Sequence, residues 1–311
     1  MICVIITLQD ELWHYGRRIT SFVMGKRWIG LGKIAVIGMV GNSAFLSVER
    51  FLQSGETVAA SGIHFEPGGK GFHQAVAAAR FGAQVAFLGA VGTEYFDEIR
   101  DYLQADGITA VLPRKDAPTA YAVILTDAEG ANQVTVYQGV RLSVEDVDDF
   151  ARYIAHADIL LLNNEVPEAV NRRALEIAKE HDTFVIYNPA PLVSLNPEVL
   201  DMVDLFTPNE HETAGLEAAK DLIVTLGSKG CYIKSLDMTY PAISVKEVID
   251  TTGAGDTFNG VLAARLSERA PMEKAVISAI CASGVSVTKK YAATAIPTKA
   301  EVARFMKERE K

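Results

Sequence analysis

An aspartate directly follows a glycine turn in the stretch VIDTTGAGDTFNG, residues 248–260. Glycines such as Gly253 and Gly255 let the backbone turn sharply and direct successive N–H groups to one point. The start of the apolar helix that follows adds further N–H donors, so the sequence predicts an anion pocket. Asp256 beside this pocket has two interpretations. It caps the helix, or it takes a proton from a hydroxyl group while the pocket binds a phosphate in transfer.

Three further motifs carry residues suited to binding a phosphorylated or hydroxylated ligand. PGGKGFHQA, residues 67–75, could bring the backbone close to a polyhydroxylated ligand, with Lys70 as a donor. TPNEHE places Asn209 and Glu212 three residues apart, and TLGSKG, residues 225–230, could lie along a nucleotide. Each motif is weak alone. Their shared position at strand ends is informative, because ligands of parallel sheets bind there.

The elements that must position these motifs are alternating strands and helices. KIAVIGMVG, residues 33–41, and QVAFLGAVG, residues 84–92, are continuous apolar runs typical of strands buried on both faces. KGFHQAVAAARFGA predicts a helix over residues 71–81 that ends at Gly82. The alternation predicts an α/β fold, a Rossmann-like three-layer sandwich with a mostly parallel central sheet.

Two β-rich segments interrupt this alternation. Residues 119–140 contain two β-rich runs that predict a hairpin, and ETVAASGIHFEP, residues 56–67, predicts a further extended segment. We expect residues 56–67 and about 117–140 to form a small antiparallel lid sheet inside one domain, residues 34–311. Residues 1–33 match no pattern and are left unassigned.

Composition and charge exclude several classes of function. The 311 residues are 49% hydrophobic and 22% charged, which is typical of a globular domain, and the net charge of −9 disfavours nucleic-acid and membrane partners. No apolar run approaches the roughly 20 residues that a membrane span needs. The three cysteines are widely spaced, which favours no disulfide or zinc site and predicts a cytoplasmic location.

The usual nucleotide-binding motifs are missing. The chain has no GxxxxGK(S/T) motif, and GMVGNS supplies GxxG rather than GxGxxG. A phosphate-binding site in this chain must therefore be formed by a different motif.

The order of the motifs resembles the ribokinase-like (PfkB) family of carbohydrate kinases and, within it, the ribokinases. GGKG followed by QAVAAAR, and DTTGAGDTFNG, are similar to the two signature motifs of that family, and NPAP, TPNE and TLGSKG follow in the ribokinase order. The resemblance runs from about Ile34 to the C-terminus. It implies a ribokinase-like fold and a kinase that transfers the γ-phosphate of ATP to a hydroxyl of a sugar or sugar-like substrate.

The resemblance implies roles for residues on the phosphate side. Asp256 is then the catalytic base, and the anion hole for the γ-phosphate is formed by Gly253, Ala254 and Gly255. Asn209 and Glu212 organise Mg²⁺ and phosphate indirectly. The ATP-binding loop contains Thr225, Gly227, Ser228 and Gly230.

It also implies roles on the sugar side. Gly69, Lys70 and Glu165 are then sugar contacts, and Asp250 and Thr252 are backbone ligands of a monovalent cation such as K⁺. Two lids often pair in this family, so a homodimer through the lid is expected.

Several departures from the family bear on the substrate. An ungapped match puts Gly41 and Ser43, with Asn42 between them, where ribokinases place an asparagine and an aspartate that bind sugar hydroxyls. His73 stands where an asparagine is usual, although it could also be a satisfied histidine on a helix face. A site built to hydrogen-bond a hydroxyl can discriminate by roughly 10⁴-fold. We therefore expect ribose to be a poor substrate and a carboxylated, keto or otherwise modified sugar to be preferred.

Two other departures concern ATP and the cation. The segment between Glu212 and Thr225 is shorter than in ribokinases, which predicts an altered affinity for ATP. Ala295 takes the place of a serine hydroxyl near the cation site, which weakens the inference of K⁺.

Two alternative functions stay open. A nucleoside kinase of the same family would need a slot for the base, with Phe45, Phe72 and Tyr121 as possible walls. A sugar-binding or regulatory protein that has lost catalysis would fit the altered sugar positions, but the intact Asp256 and its glycine pocket argue against it.

Overall fold

The first described strand, β1 (Lys33–Ile37), lies between two hydrophobic cores. In the computed structural model, which describes residues 32–129 and 131–309, Ile34 and Val36 pack into one core. Ala35 and Ile37 pack into a second core on the opposite face of the sheet. Successive side chains of a strand point to opposite faces, so this apolar strand is covered on both sides, as its sequence predicted.

Within the described residues, a parallel sheet of six strands forms the centre of the fold. The strands beside β1 are β4 (Gln84–Leu88), β5 (Thr109–Val111), β8 (Ile159–Asn163), β9 (Phe184–Asn188) and β10 (Leu205–Phe206). Their order is β10–β9–β8–β1–β4–β5, and all pairs are parallel. Parallel bridges from Phe206 to Leu222 and from Asn209 to Thr225 extend its edge. They lead to a smaller antiparallel sheet of β11 (Ile223–Thr225), β12 (Cys231–Ile233) and β13 (Met238–Tyr240).

Helices cover both faces of the central sheet. One layer contains α1 (Lys70–Arg80), α2 (Phe96–Ala105), α6 (Ala254–Ser267), α7 (Met272–Ser286) and α8 (Lys299–Arg309). The other contains α3 (Val144–Ala155), α4 (Glu168–Glu180) and α5 (Pro197–Met202). The predicted three-layer α/β architecture is confirmed. Among the described residues, no helix combines the length and apolarity needed to cross a bilayer.

Helices α1 and α6 approach each other very closely. A Cβ atom on Gly260 would lie 2.3 Å from the backbone oxygen of Gln74 and 2.6 Å from the Cβ of Ala77. Only glycine fits at this crossing. The contact brings the first turn of α6, which contains Asp256, against the first turn of α1.

The lid is a separate sheet, with four strands in the part of the chain that the structure describes. It consists of β2 (Gly41–Ser47), β3 (Gly62–Gly68), β6 (Ala120–Thr126) and β7 (Asn132–Tyr137), in the order β3–β2–β6–β7. The predicted hairpin is present as the antiparallel β6–β7 pair. The β2–β3 pair is also antiparallel, and β2–β6 is parallel.

The sequence analysis placed strand β3 of the lid imprecisely and missed strand β2. The strand expected over residues 56–67 begins only at Gly62, and the expected first strand over residues 33–41 ends at Ile37. The chain then enters the lid as β2, where a Cβ on Gly41 would lie 2.2 Å from the backbone oxygen of Ala120. This close approach lets the chain pass from one sheet to the other within a single apolar run. The extension predicted for residues 1–33 lies almost entirely outside the described residues.

Candidate active site

A cavity of about 260 Å³ lies between the lid and the carboxyl ends of the central strands. Its lid wall includes Phe45, Tyr121, Ala122, Ile124, Val134 and Val136. The residues predicted to contact the substrate all line it, namely Asn42, Ser43, Gly69, Lys70, His73, Glu165 and Asp256. The cavity therefore has a mostly apolar lid wall, to which Asn42 and Ser43 of the lid add polar groups, and it carries charged groups on the opposite side.

Asp256 is buried in the first turn of α6 with its carboxylate directed at α1. Gln74 Nε2 donates a hydrogen bond of 3.1 Å to Oδ1, and His73 Nδ1 lies 3.5 Å from Oδ2. The N-cap position belongs to Gly253, which has a left-handed φ of +74°. The first interpretation of Asp256, a side chain that caps its own helix, does not match these contacts.

The charge of Asp256 is stabilised by its neighbours. Burial alone would raise the pKa of Asp256, but the Lys70 ammonium and the contacts with His73 and Gln74 outweigh it and lower the pKa. In turn, the charge of Asp256 raises the pKa of Lys70 against the effect of burial. Asp256 is thus ionised at neutral pH, which is the state that a general base requires.

Glu165 connects the end of β8 to the start of α1. The backbone N–H of Lys70 donates a 2.7 Å hydrogen bond to Glu165 Oε2, which satisfies one of the free donors at a helix N-terminus. Burial and the charge of Asp256 raise the pKa of Glu165 to about 7, in spite of the opposing effect of Lys70. The side chain can therefore either accept or donate a hydrogen bond at physiological pH.

The N-terminus of α6 leaves space for an anion. A Cβ atom on Gly255 would meet nothing within 4 Å, so this face of the first turn is open. N–H groups in the first turn of a helix have no partner inside the helix and attract negative charge. The glycine turn therefore fits a phosphate group, as the sequence suggested for Gly253, Ala254 and Gly255.

The residues expected to bind the nucleotide lie at the neighbouring strand ends. Asn209 follows β10 and pairs with Thr225 at the end of β11. Glu212 Oε2 accepts a 2.9 Å hydrogen bond from the backbone N–H of Asn209. Gly227, Ser228 and Gly230 continue from Thr225, and the first two are exposed. These residues do not line the cavity, but the charge of Glu212 contributes to the raised pKa of Lys70.

The donors available for metal ions are few. Among the described residues, no cluster of three or more His, Cys, Asp or Glu side chains could hold a metal ion. Mg²⁺ in phosphate-transferring sites is held by one or two carboxylates together with phosphates and water, so the Asn209–Glu212 pair fits an indirect role.

The loop proposed for a monovalent cation is shaped by Asp250. Its Oδ1 accepts hydrogen bonds of 2.9 and 2.7 Å from the backbone N–H and hydroxyl of Thr252, and its Oδ2 accepts one of 3.0 Å from the N–H of Tyr291. Backbone carbonyls of Asp250 and Thr252 would be the ligands, and oxygen ligands suit a hard cation. Ala295 is buried and offers no hydroxyl.

Sequence reasoning missed Gln74 and misplaced Phe72. Gln74 is fully buried and also donates a 3.2 Å hydrogen bond to Asn188 Oδ1, so it links α6 to the central sheet. A glutamine at the start of an alanine-rich helix was the available signal. Phe72 was a possible wall of a nucleoside slot, but it is fully buried in the core. Phe45 and Tyr121 do line the cavity.

Comparison with known proteins agrees with this geometry. The model of the pfkB family carbohydrate kinases matches residues 31–299. The ribokinase of Lactococcus lactis is 34% identical over 297 residues, which cover 89% of this chain and 98% of the relative. The structure of Thermotoga maritima ribokinase matches with a TM-score of 0.81 and 34% identity, over 89% of this chain and 100% of that one.

A third structure, Arabidopsis thaliana ribokinase complexed with ribose and ATP, matches with a TM-score of 0.78 and 25% identity. It covers 89% of this chain and 99% of the plant chain. The chain therefore belongs to the pfkB family of carbohydrate kinases, as its motifs predicted, and it is an ATP-dependent sugar kinase.

Proposed function

We propose that Asp256 is the general base of this sugar kinase and that the N-terminal turn of α6 binds the transferred phosphate. The observation that carries the proposal is the ionised, buried carboxylate of Asp256 at a helix N-terminus, beside a cavity with polar anchors. Asp256 accepts the proton of a substrate hydroxyl as the oxygen attacks the γ-phosphorus of ATP. The bond to the β-phosphate oxygen breaks, and ADP leaves.

The remaining residues position the reactants. Lys70 and Glu165 anchor the sugar, and the backbone N–H groups of Gly253, Ala254 and Gly255 stabilise the charge that develops on the phosphoryl group. Asn209 and Glu212 would organise Mg²⁺, which would supply positive charge to neutralise the phosphates. Residues 225–230 lie along the nucleotide, and the carbonyls of Asp250 and Thr252 bind a monovalent cation. The lid excludes water, so ATP is not simply hydrolysed.

A nucleoside kinase is the second candidate. The apolar lid wall, with Phe45 and Tyr121 in the cavity lining, could face a nucleobase. ADP release with a panel of sugars, sugar acids and nucleosides separates the two functions. Turnover confined to nucleosides would reject the sugar as the substrate.

Replacing Gly255 by alanine tests the phosphate pocket. The added methyl group meets no protein atom within 4 Å, and alanine favours helices, so stability is expected to be unchanged or higher by up to about 1 kcal/mol. The methyl group occupies the space of the phosphate, and kcat/KM is expected to fall at least about 10-fold. Steady-state kinetics and thermal unfolding measure the two effects.

Gly260→Ala is the matched control in the same helix. Its methyl group would lie 2.3 Å from the Gln74 backbone oxygen, so it is expected to lower the melting temperature. If Gly255→Ala keeps the wild-type kcat/KM for ATP, the first turn of α6 does not contact the transferred phosphate.

We also propose that two lids pair to form a homodimer. Phe65 and Val123 flank Ala44 on neighbouring strands, and none of the three lines the cavity. Phe65 is 52% exposed and Val123 37% exposed. Exposed apolar strands tend to be covered by another chain.

Light scattering is expected to give the mass of a dimer at micromolar concentration and that of a monomer for Phe65→Asp. Leu52→Asp changes an apolar side chain that is 42% exposed outside the lid strands, so it should leave the mass unchanged. A monomeric wild-type protein would contradict the proposal. A cytoplasmic location also stays a proposal, and it is supported by the wide spacing of the three cysteines, which favours no disulfide.

A further inference from the structure

Residues 291–296 form an irregular segment that borders the glycine turn. A Cβ on Gly253 would lie 3.3 Å from the Cβ of Ala292, and Ala292 also lines the cavity. The backbone N–H of Tyr291 donates a 3.0 Å hydrogen bond to Asp250. A displacement of the 291–296 segment would therefore shift residues 250–253, where the phosphate and cation sites are proposed.

A single carboxylate from the lid holds the N–H groups of this segment. Glu66, at the end of β3, is only 3% exposed. Its Oε1 accepts hydrogen bonds of 2.8 and 2.9 Å from the N–H groups of Ala292 and Ala293, and its Oε2 accepts one of 3.1 Å from Thr294. Consecutive N–H groups that converge on one anion form a backbone nest, and bonds to an ionised acceptor are stronger than neutral ones.

Arg80 holds carbonyl groups of the same segment. Its Nη1 donates hydrogen bonds of 3.0 and 2.8 Å to the oxygens of Ala293 and Ile296. The guanidinium is fixed in turn by two 3.1 Å bonds from Nε to Asp106. Glu66 and Arg80 lie at either end of one stretch, from the end of β3 to the end of α1. That stretch also contains Lys70 and His73, which face Asp256.

An aromatic stack adds a second contact between the lid and the segment. The ring of His64 on β3 stacks on Tyr291 with 3.8 Å between the ring centroids, and Phe45 on β2 packs edge-on at 5.2 Å. Tyr291 has a left-handed φ of +70°, which is unfavourable for a bulky residue. The surrounding contacts must therefore hold this conformation in place.

We propose that Glu66 is a positioning residue that fastens the phosphate-binding loop, residues 250–254, to the lid through the 291–296 segment. The lid and the loop then reach their catalytic conformation together. This inference rests on the proposed role of the glycine turn, but the coupling itself can be measured without catalysis.

Glu66→Gln is the first test, in the full-length protein without ligands. The amide keeps the shape of the side chain but offers one oxygen to three N–H groups and turns an NH₂ group toward one of them. Amide hydrogen exchange in residues 291–296 and 250–254 is expected to rise about 10- to 100-fold. In turnover assays kcat should fall, and KM for ATP should rise more than KM for the sugar.

Asp146→Asn is the matched control. Asp146 is also a buried carboxylate, with a 2.8 Å bond from the Ser143 N–H and another of 2.8 Å from Lys115, but it caps α3 on the other face of the sheet. It should lower the melting temperature without changing exchange in residues 250–254 or the kinetic constants.

Tyr291→Gly keeps the proposal testable if Glu66→Gln does not fold. Glycine adopts a φ of +70° without strain, so the variant should fold while losing the stack on His64. Exchange is expected to rise in both β3 and residues 250–254. Wild-type exchange in residues 250–254 in every Glu66 and Tyr291 variant that folds would overturn the coupling. A fully active Asp256→Asn would instead reject the proposed chemistry and leave the coupling intact.

Discussion

Replacing Asp256 by asparagine is expected to lower kcat by roughly 10²–10⁴-fold, the usual contribution of a general base. The two side chains are nearly isosteric, and an amide oxygen can still accept the hydrogen bond from Gln74, so the fold should persist. An amide cannot take the proton of the attacking hydroxyl. Steady-state kinetics on the best substrate, with circular dichroism to monitor the fold, measure both expectations.

Asp146→Asn serves as the control for removing a buried carboxylate, because Asp146 does not line the cavity and the change should leave kcat unchanged. If Asp256→Asn retains more than a tenth of the wild-type kcat, the assignment of Asp256 as the base is wrong. A loss of kcat together with a loss of the folded signal would call for Asp256→Glu, which keeps the charge but displaces it.

The second large effect is expected on substrate specificity. Ser43→Asp combined with His73→Asn should raise kcat/KM for ribose by about 10- to 100-fold, because a carboxylate forms charge-assisted hydrogen bonds with a vicinal diol. Ser43 lies in the cavity wall and is buried, with its hydroxyl facing Gly68. The side chain of Asn42 accepts a 2.9 Å bond from the Ser43 N–H, so that oxygen is already engaged with the protein.

His73 is the second position of this double substitution. Its Nδ1 faces Asp256, while its Nε2 is buried and meets no hydrogen-bond partner among the described residues. Ser43→Asn with His73→Asn is the control, since it has nearly the same shape without the charge and should not gain activity on ribose. If the unmutated enzyme already phosphorylates ribose better than every other sugar tried, the two positions are tolerated variation and the prediction fails.

The layers of the fold could be predicted because they depend on local patterns. Buried strands such as β1 have no polar face, and strand–helix alternation leaves few other arrangements. The path of β2 could not be predicted, because one apolar run from Lys33 to Gly41 contains the end of one sheet and the start of another. That break depends on the close approach of Gly41 to Ala120, which no periodicity reveals.

The residues of the candidate site also fall into two groups, those that the sequence suggests and those that only the tertiary structure brings together. Asp256 and the glycine turn could be proposed from the sequence because the chemistry they suggest is local. The contacts that tune Asp256 were not, because Gln74 and His73 reach it only through the close crossing of α1 and α6 at Gly260. Glu66 carried no signal for its role, since beside His64 it contacts three backbone N–H groups whose direction is set by tertiary structure.

The contact between Glu66 and Ala292 joins residues 226 positions apart, and this distance bears on biosynthesis. As the ribosome elongates the chain, β3 and the other early elements emerge long before their partner segment exists. Bringing such distant residues together requires closure of a very large loop, which is slow and is driven by the rest of the fold. The early lid strands must meanwhile persist with a carboxylate that has no backbone partners. A nascent chain that ends before residue 291 lacks the segment that Glu66 binds, and we expect such a chain to have no phosphotransfer activity.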